Sequence, residues 1–152
     1  MTHLKPGDKA PGFSFENKDG KNIALKDFLG KKVILYFYPK DNTPGCTAEA
    51  CNLRDNYKKL QDKGFEIIGI SMDTKISHDK FITKLKLPFK LIPDTEKTII
   101  RDYGVWGEKK NFGKIKEGIF RTTFIIDETG KIEHIFKKVQ TKNHTEQILS
   151  KY

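Results

Sequence analysis

The chain contains a continuous apolar run, Val33-Ile34-Leu35-Tyr36-Phe37-Tyr38, and the octapeptide Pro39-Lys40-Asp41-Asn42-Thr43-Pro44-Gly45-Cys46 follows it directly. Six apolar residues without alternation predict a central strand that is covered on both faces. The octapeptide predicts a helix start, because Thr43 suits the N-cap and Pro44 the first helical position. Cys46 would then lie just past the carboxyl end of a central strand, where open α/β sheets place their sites.

Strand and helix patterns alternate on either side of this run. We predict strands at 13–15, 22–25, 33–38 and 65–71, helices at 44–62, 77–85, 95–103 and 143–151, a loop at 104–118, and a hairpin of strands 122–127 and 131–136. Strands joined through helices are parallel, whereas the late hairpin is antiparallel. The pattern therefore predicts an α/β fold with a mixed central sheet flanked by helices, preceded by a β-hairpin, in a single domain over residues 1–152.

The bulk composition narrows the class of protein. The chain has 152 residues and a formal net charge of +9. Lysines are spread along the whole sequence, which favours a solvated surface over a nucleic-acid interface, although the excess could steer anionic partners. No apolar run is long enough to cross a bilayer and no secretory signal is visible, so we expect a cytoplasmic protein that binds neither membrane nor nucleic acid.

Cys46 and Cys51 are the only cysteines. Their C-x4-C spacing differs from the C-x2-C of zinc sites and of thioredoxin-type redox motifs. His3, His78, His134 and His144 are scattered without ligand spacing, so we expect neither a metal nor an organic cofactor.

Cys46 would occupy the first turn of its helix, where backbone N–H groups and the helix dipole favour a thiolate. Arg121 begins a strand that could neighbour the Cys46 strand and could strengthen this effect. The alternative is an inert buried cysteine, because Cys46 also lies on the apolar stripe of the helix. Residues five apart in an intact helix have Cα atoms about 9 Å apart, whereas a disulfide needs about 7 Å or less. Cys46 and Cys51 could therefore bond only if the helix start unwound.

The combined motifs resemble those of a known family. The pattern Pro39-x-x-x-Thr43-x-x-Cys46 matches the active-site motif of the peroxiredoxins, and Cys46-Thr47-x-Glu49-Ala50-Cys51 resembles the peroxiredoxin Q, or bacterioferritin comigratory protein, subgroup. The segments 7–13, 69–71, 103–107 and 121–127 extend the resemblance over nearly the whole chain. It implies a thioredoxin-like fold with an N-terminal extension.

The resemblance also implies a role for each matching residue. Cys46 would be the peroxidatic nucleophile, Cys51 the resolving cysteine, and Thr43 a hydrogen-bonding partner of the peroxide. Arg121 would stabilise the thiolate and polarise the O–O bond, and Pro39 would shield the sulfur. The implied reaction is the reduction of hydrogen peroxide and organic hydroperoxides through a Cys46–Cys51 disulfide, as antioxidant defence. The implied reductant is a thioredoxin or glutaredoxin.

Several alternatives stay open at this stage. A peroxide sensor would use the same Cys46 chemistry, and a thioredoxin-type oxidoreductase is disfavoured only by the missing C-x-x-C. Many members of the subgroup carry Gln at the position of Glu49, which either joins the Arg121 network or is an exposed residue of the first turn. Trp106 either lines the substrate mouth or anchors a loop. Because both cysteines lie in one chain, we expect a monomer.

Overall fold

The computed structural model describes residues 2–17 and 19–152. The strands are β1 (Ser14–Glu16), β2 (Asn22–Ala24), β3 (Lys32–Phe37), β4 (Phe65–Ser71), β5 (Lys90–Pro93), β6 (Trp106–Asn111), β7 (Lys114–Ile119), β8 (Thr122–Ile126) and β9 (Ile132–Phe136). The α-helices are α1 (Pro44–Asp55), α2 (Tyr57–Asp62), α3 (Lys75–Leu85), α4 (Thr98–Asp102) and α5 (His144–Leu149). A short 3-10 helix, Leu25–Phe28, follows β2.

The central sheet has the strand order β5-β4-β3-β8-β9. The β5-β4 and β4-β3 pairs are parallel, and the β3-β8 and β8-β9 pairs are antiparallel. The predicted mixed sheet is therefore confirmed, and β1 pairs with β2 as the predicted N-terminal hairpin. Because β3 and β8 run in opposite directions, Phe37 at the end of β3 pairs with Thr122 at the start of β8.

The alternation of β3 divides the core between the two faces of the sheet. Ile34, Tyr36 and Tyr38 pack with Cys46 and other residues of the helices, whereas Leu35 and Phe37 join the core on the opposite face. All of these residues are at most 1% exposed, which confirms a strand covered on both sides.

The prediction of a loop at 104–118 is wrong. β6 and β7 pair as an antiparallel hairpin, from Trp106 opposite Ile119 to Asn111 opposite Lys114. The two residues between the strands, Phe112 and Gly113, both have positive φ. A two-residue hairpin turn of type I′ requires positive φ at both positions. The lysine-rich strands are mostly exposed and lack an apolar alternation, so their pattern suggested a loop.

The predicted helix at 44–62 is divided in two at Asn56. This residue has φ −111° and ψ 11°, and its side-chain amide donates to the carbonyl oxygen of Asn52 at 2.8 Å. A side chain that hydrogen-bonds nearby backbone competes with the regular helix ladder. Within residues 2–17 and 19–152, no helix has both the length and the apolar character needed to span a bilayer.

Candidate active site

The loop between β3 and α1 delivers Thr43 to the N-cap of α1, as predicted. Asn42 has φ +63°, a left-handed conformation that asparagine tolerates. Thr43 has φ −92° and ψ 157°, and its hydroxyl donates to the carbonyl oxygen of Lys40 at 2.9 Å. The Thr43 side chain therefore makes no capping hydrogen bond to a backbone N–H of the helix. The first-turn N–H groups, including that of Cys46, therefore remain directed at whatever lies at the helix start.

A guanidinium lies against the sulfur of Cys46. Cys46 is 1% exposed, and Nη2 of Arg121 is 3.4 Å from its Sγ. The β3–β8 register brings Arg121, which directly precedes β8, to this end of the sheet. A Cβ on Gly45 would lie 3.1 Å from the same Nη2, so glycine leaves room for the guanidinium. The structure thus places a permanent positive charge beside Cys46.

Glu49 joins this network and is not an exposed first-turn residue. It lies one turn after Cys46 on the same helix face and is fully buried. Its Oε1 accepts a hydrogen bond from Nη1 of Arg121 at 2.8 Å. Burial lowers the pKa of Arg121. The negative charges of Cys46 and Glu49 and the hydrogen bonds to both raise it by a larger amount, so the pKa lies above its ordinary value. Arg121 is thus held between a sulfur and a carboxyl group.

Asp41, which is buried, holds the loop between β3 and α1 through several hydrogen bonds. One carboxylate oxygen accepts from the Tyr38 hydroxyl at 2.6 Å, and the other faces Nδ1 of His78 at 2.7 Å and the Ser77 hydroxyl at 2.8 Å. Burial raises the pKa of Asp41, but the hydrogen bonds from His78 and Tyr38 hold it below its ordinary value. The backbone N–H of Asp41 donates to Asp73 at 2.8 Å. These contacts fix the path of the chain just before Thr43.

Asp41, Asp73 and His78 also offer ligand atoms within 4.8 Å of one another, as a metal site would. Sequence spacing missed this cluster, because residues 32 and 37 positions apart carry no local pattern. Both carboxylates already accept hydrogen bonds from side-chain or backbone donors, Ser71 supplying one to Asp73 at 2.6 Å. The arrangement therefore acts as a clamp on the loop.

Cys51 lies on α1 with Cys46, and neither residue is in a disulfide. The helix is continuous between them, so they are held apart as the five-residue spacing predicts. Cys51 is half-buried. The adjacent Asn52 ties the helix to the start of α5, because its Nδ2 donates to Lys142 O at 3.0 Å and its Oδ1 accepts from Thr145 N–H at 2.8 Å.

The remaining predicted residue, Pro39, directly follows the central strand region and is half-buried. Trp106 packs on the core, donates from Nε1 to Glu117 at 2.8 Å and lies under Lys97 Nζ, 4.6 Å from the ring centroid. These contacts favour the anchor interpretation of Trp106. Lys109 of β6 was missed. It is half-buried, and burial together with the charge of Arg121 lowers its pKa, so the hairpin brings a lysine close to the site.

The chain is similar to known proteins over nearly its whole length. The sequence profile of the AhpC/TSA family matches residues 6–135. The chain is 45% identical over 150 residues to a protein named peroxiredoxin Bcp from Escherichia coli, covering 99% of this chain and 96% of the relative. It is 43% identical over 146 residues to peroxiredoxin Bcp from Bacillus subtilis, covering 96% and 93% of the two chains.

Solved structures extend the likeness to three dimensions. A cysteine-to-serine mutant of PrxQ from Xylella fastidiosa matches with a TM-score of 0.89 and 29% identity, covering 99% of this chain and 96% of the other. The bacterioferritin comigratory protein of Xanthomonas campestris, whose structures were described in terms of alkyl peroxide reduction activity, matches with a TM-score of 0.84, 29% identity and coverage of 99% and 96%. These likenesses confirm the predicted thioredoxin-like fold.

Proposed function

We propose, for a chain that belongs to the AhpC/TSA family and is a peroxiredoxin, that Cys46 is the nucleophile for hydroperoxides and Cys51 resolves its oxidised form. Membership in the family makes the chain an enzyme, a thiol peroxidase. The contact of 3.4 Å between Arg121 Nη2 and Cys46 Sγ at the start of α1 is the observation that carries the proposal. A fixed cation and the N-terminal end of a helix both favour a thiolate over a thiol.

In the first step, the Cys46 thiolate attacks the terminal oxygen of the hydroperoxide. The S–O bond forms, the O–O bond breaks, and the departing alkoxide or hydroxide takes a proton to leave as alcohol or water. Negative charge moves from sulfur to the departing oxygen, where Arg121 and the Cys46 N–H can stabilise it. Because Thr43 Oγ1 donates to Lys40 O, its oxygen can accept the O–H of the peroxide. Pro39, which has no N–H donor, would shield the sulfur from water.

In the second step, the Cys51 thiolate attacks the sulfur of Cys46 sulfenic acid. The S–S bond forms and the oxygen leaves as water after taking a proton. α1 must unwind between the two cysteines first, because its geometry separates their Cα atoms by about 9 Å and a disulfide needs about 7 Å or less. Because Cys46 is 1% exposed, a small peroxide would reach its sulfur more readily than a protein thiol would.

The substrates would be hydrogen peroxide and organic hydroperoxides, and a thioredoxin or glutaredoxin dithiol would reduce the disulfide. A disulfide formed in an unwound segment is accessible to such reductants. We further propose a single-domain monomer, because both redox-active thiols belong to one helix. The net charge of +9 would attract acidic reductants at low salt. The biological role would be antioxidant defence.

The test uses the two cysteines as matched controls for each other. Cys46→Ser is expected to abolish peroxide consumption. Cys51→Ser is expected to complete one turnover, after which a small thiol must be added, and to accumulate a sulfenic acid that dimedone traps. With wild type, one equivalent of peroxide should yield an intramolecular disulfide by intact-mass analysis, and thioredoxin should restore both thiols.

Full turnover with thioredoxin in both serine variants would refute the assignment. Repeated turnover also separates the enzyme from a peroxide sensor, because a sensor is oxidised once for each transfer to its partner protein.

A further inference from the structure

The two carboxyl oxygens of Glu49 have different surroundings. Oε1 accepts from Arg121 at 2.8 Å. Oε2 is buried and has no hydrogen-bond partner in the part of the chain that the structure describes. It faces Nε2 of His144 of α5, 3.6 Å away and just beyond hydrogen-bond length. A buried polar atom without a partner costs free energy, and the proposed reaction steps make no use of it. The protonation of these two side chains decides whether they attract or repel each other.

The tautomer of His144 follows from the orientation of one amide. Gln147 Oε1 accepts the backbone N–H of Gln140 at 3.0 Å, and its Nε2 donates to the carbonyl oxygen of Lys138 at 2.7 Å. These two contacts identify which atom of the amide is oxygen. Because that oxygen also lies 2.9 Å from Nδ1 of His144, Nδ1 must carry a proton.

Nε2 of His144 is then an acceptor whenever the ring is neutral. Burial lowers the pKa of His144 to about 4, against the hydrogen bond to Gln147, and the charge of Arg121 lowers it as well. The ring is therefore neutral at physiological pH, and the Thr123 hydroxyl, 2.8 Å from Nε2, donates to it. An ionised Oε2 would face this nitrogen as a second acceptor and be repelled by its lone pair. A protonated Oε2 removes that repulsion and shares, at the longer distance of 3.6 Å, the one lone pair to which Thr123 already donates.

We propose that Glu49 works as a neutral acid, with its proton on Oε2 facing His144, so that the charge of Arg121 is directed undivided at Cys46 and the peroxide. Glu49 is a positioning residue: its carbonyl oxygen holds the guanidinium without competing with the thiolate for its charge. The inference rests on the proposed function of Cys46. Burial raises the pKa of Glu49 to about 7, against the charge and hydrogen bond of Arg121, so the neutral acid is the main form below about pH 7 and is lost progressively above it.

The charges facing Glu49 come from each element around it. Its own helix supplies Cys46, the start of β8 supplies Arg121, and α5 supplies the neutral His144. The buried phenol of Tyr36 on β3 is neutral, since burial and the nearby Glu49 raise its pKa well above the ordinary value. Lys109 of the β6–β7 hairpin adds a more distant positive charge. With Glu49 neutral, one cation at the sulfur matches one thiolate. With Glu49 ionised, two anions share Arg121.

Glu49→Gln tests this arrangement, because glutamine presents a carbonyl to Arg121 and an N–H to His144, as the neutral acid does. The measurement is the rate constant for oxidation of Cys46 by hydrogen peroxide, followed through the fluorescence of Trp106, the only tryptophan. It is taken from about pH 5.5 to about pH 8.5. The titration of Cys46 changes the rate constants of both proteins, so it cancels in the ratio of wild-type to E49Q rate constants where the substitution leaves that titration unchanged.

As the pH rises, we expect the ratio of wild-type to E49Q rate constants to fall roughly tenfold, which corresponds to an interaction of about one pKa unit. The midpoint of this fall should lie near the Glu49 pKa of about 7. Glu146→Gln is the matched control: it removes the same charge from an exposed position on α5 and should leave its own ratio to wild type flat. A wild-type to E49Q ratio that is constant with pH would overturn the inference.

A second measurement does not depend on activity. The side-chain carboxyl carbons of Glu, labelled with carbon-13, are titrated by NMR, and E49Q identifies the Glu49 resonance by its absence. A midpoint near neutral pH supports the proposal, and a midpoint in the ordinary range for glutamate overturns it. If wild type fails to react with peroxide, the proposed function fails while the titration still decides the state of Glu49.

Discussion

Glu49→Gln should also change how stability depends on pH. Glu49 is buried, and its pKa rises from 4.5 to about 7 on folding. At ~1.4 kcal/mol per pKa unit, this rise corresponds to about 3 kcal/mol. The folded state holds the proton more tightly than the unfolded state, so the contribution of this group to stability is complete below its unfolded pKa of 4.5. It is lost progressively as the pH rises to about 7. The variant has no such loss.

Urea unfolding of the reduced protein at several pH values measures the difference. Relative to wild type, E49Q should gain about 3 kcal/mol between about pH 4.5 and about pH 8. His144 has the opposite dependence, since its lowered pKa contributes stability above its unfolded pKa that is lost as the pH falls toward 4. It is present in both proteins and largely cancels. Glu146→Gln should show no comparable gain. If the stability difference between E49Q and wild type were the same at both ends of the range, the assignment of a raised pKa to Glu49 would be refuted.

Three further substitutions probe the site. Arg121→Lys should slow Cys46 oxidation roughly a hundredfold in stopped-flow assays, because an ammonium cannot bind sulfur and the Glu49 carboxyl as a planar fork does; a rate near wild type would contradict this role. Gly45→Ala should lower the same rate several-fold while leaving α1 intact by circular dichroism, because its Cβ would lie 3.1 Å from Arg121 Nη2; an unchanged rate would mean that the guanidinium position is not critical. Asn52→Ala should speed disulfide formation after one peroxide equivalent roughly tenfold, because it removes the two side-chain hydrogen bonds that join α1 to Lys142 and to Thr145 of α5. Slower or unchanged formation would show that these bonds do not restrain unwinding.

Local patterns made much of the fold predictable. The strand at Phe65–Ser71 has the predicted bounds, and the apolar run at 33–38 became β3 with a shift of one residue. Both runs are buried on two faces, so hydrophobicity alone marks them. The β6–β7 hairpin was not predicted from the sequence. Its strands are largely exposed and pair mainly with each other, so they carry no apolar alternation.

Local patterns placed the parts of the candidate site that lie close together in the sequence, and the predicted neighbouring strand and the family resemblance added Arg121, which the structure places 3.4 Å from Cys46 Sγ. Thr43, Pro44 and Cys46 lie within four consecutive residues, and capping preferences place them at the start of a helix. The role of Glu49 stayed open, because its position on the helix does not reveal what faces it. The clamp of Asp41 and His78 had no sequence signal, since one residue lies in a loop and the other in α3.

The amino-acid sequence by itself determined the order of most elements, the covered central strand and the placement of Cys46 in the first turn of a helix. Periodicity and capping depend on residues within a few positions of one another, so these features can be read along the chain. Only the tertiary structure decided that Arg121 contacts Cys46 and that Glu49 faces His144. These contacts join residues 75 and 95 positions apart, and the strand register and the docking of α5 bring them together. Charge, burial and protonation at the site depend on that approach and not on any local pattern.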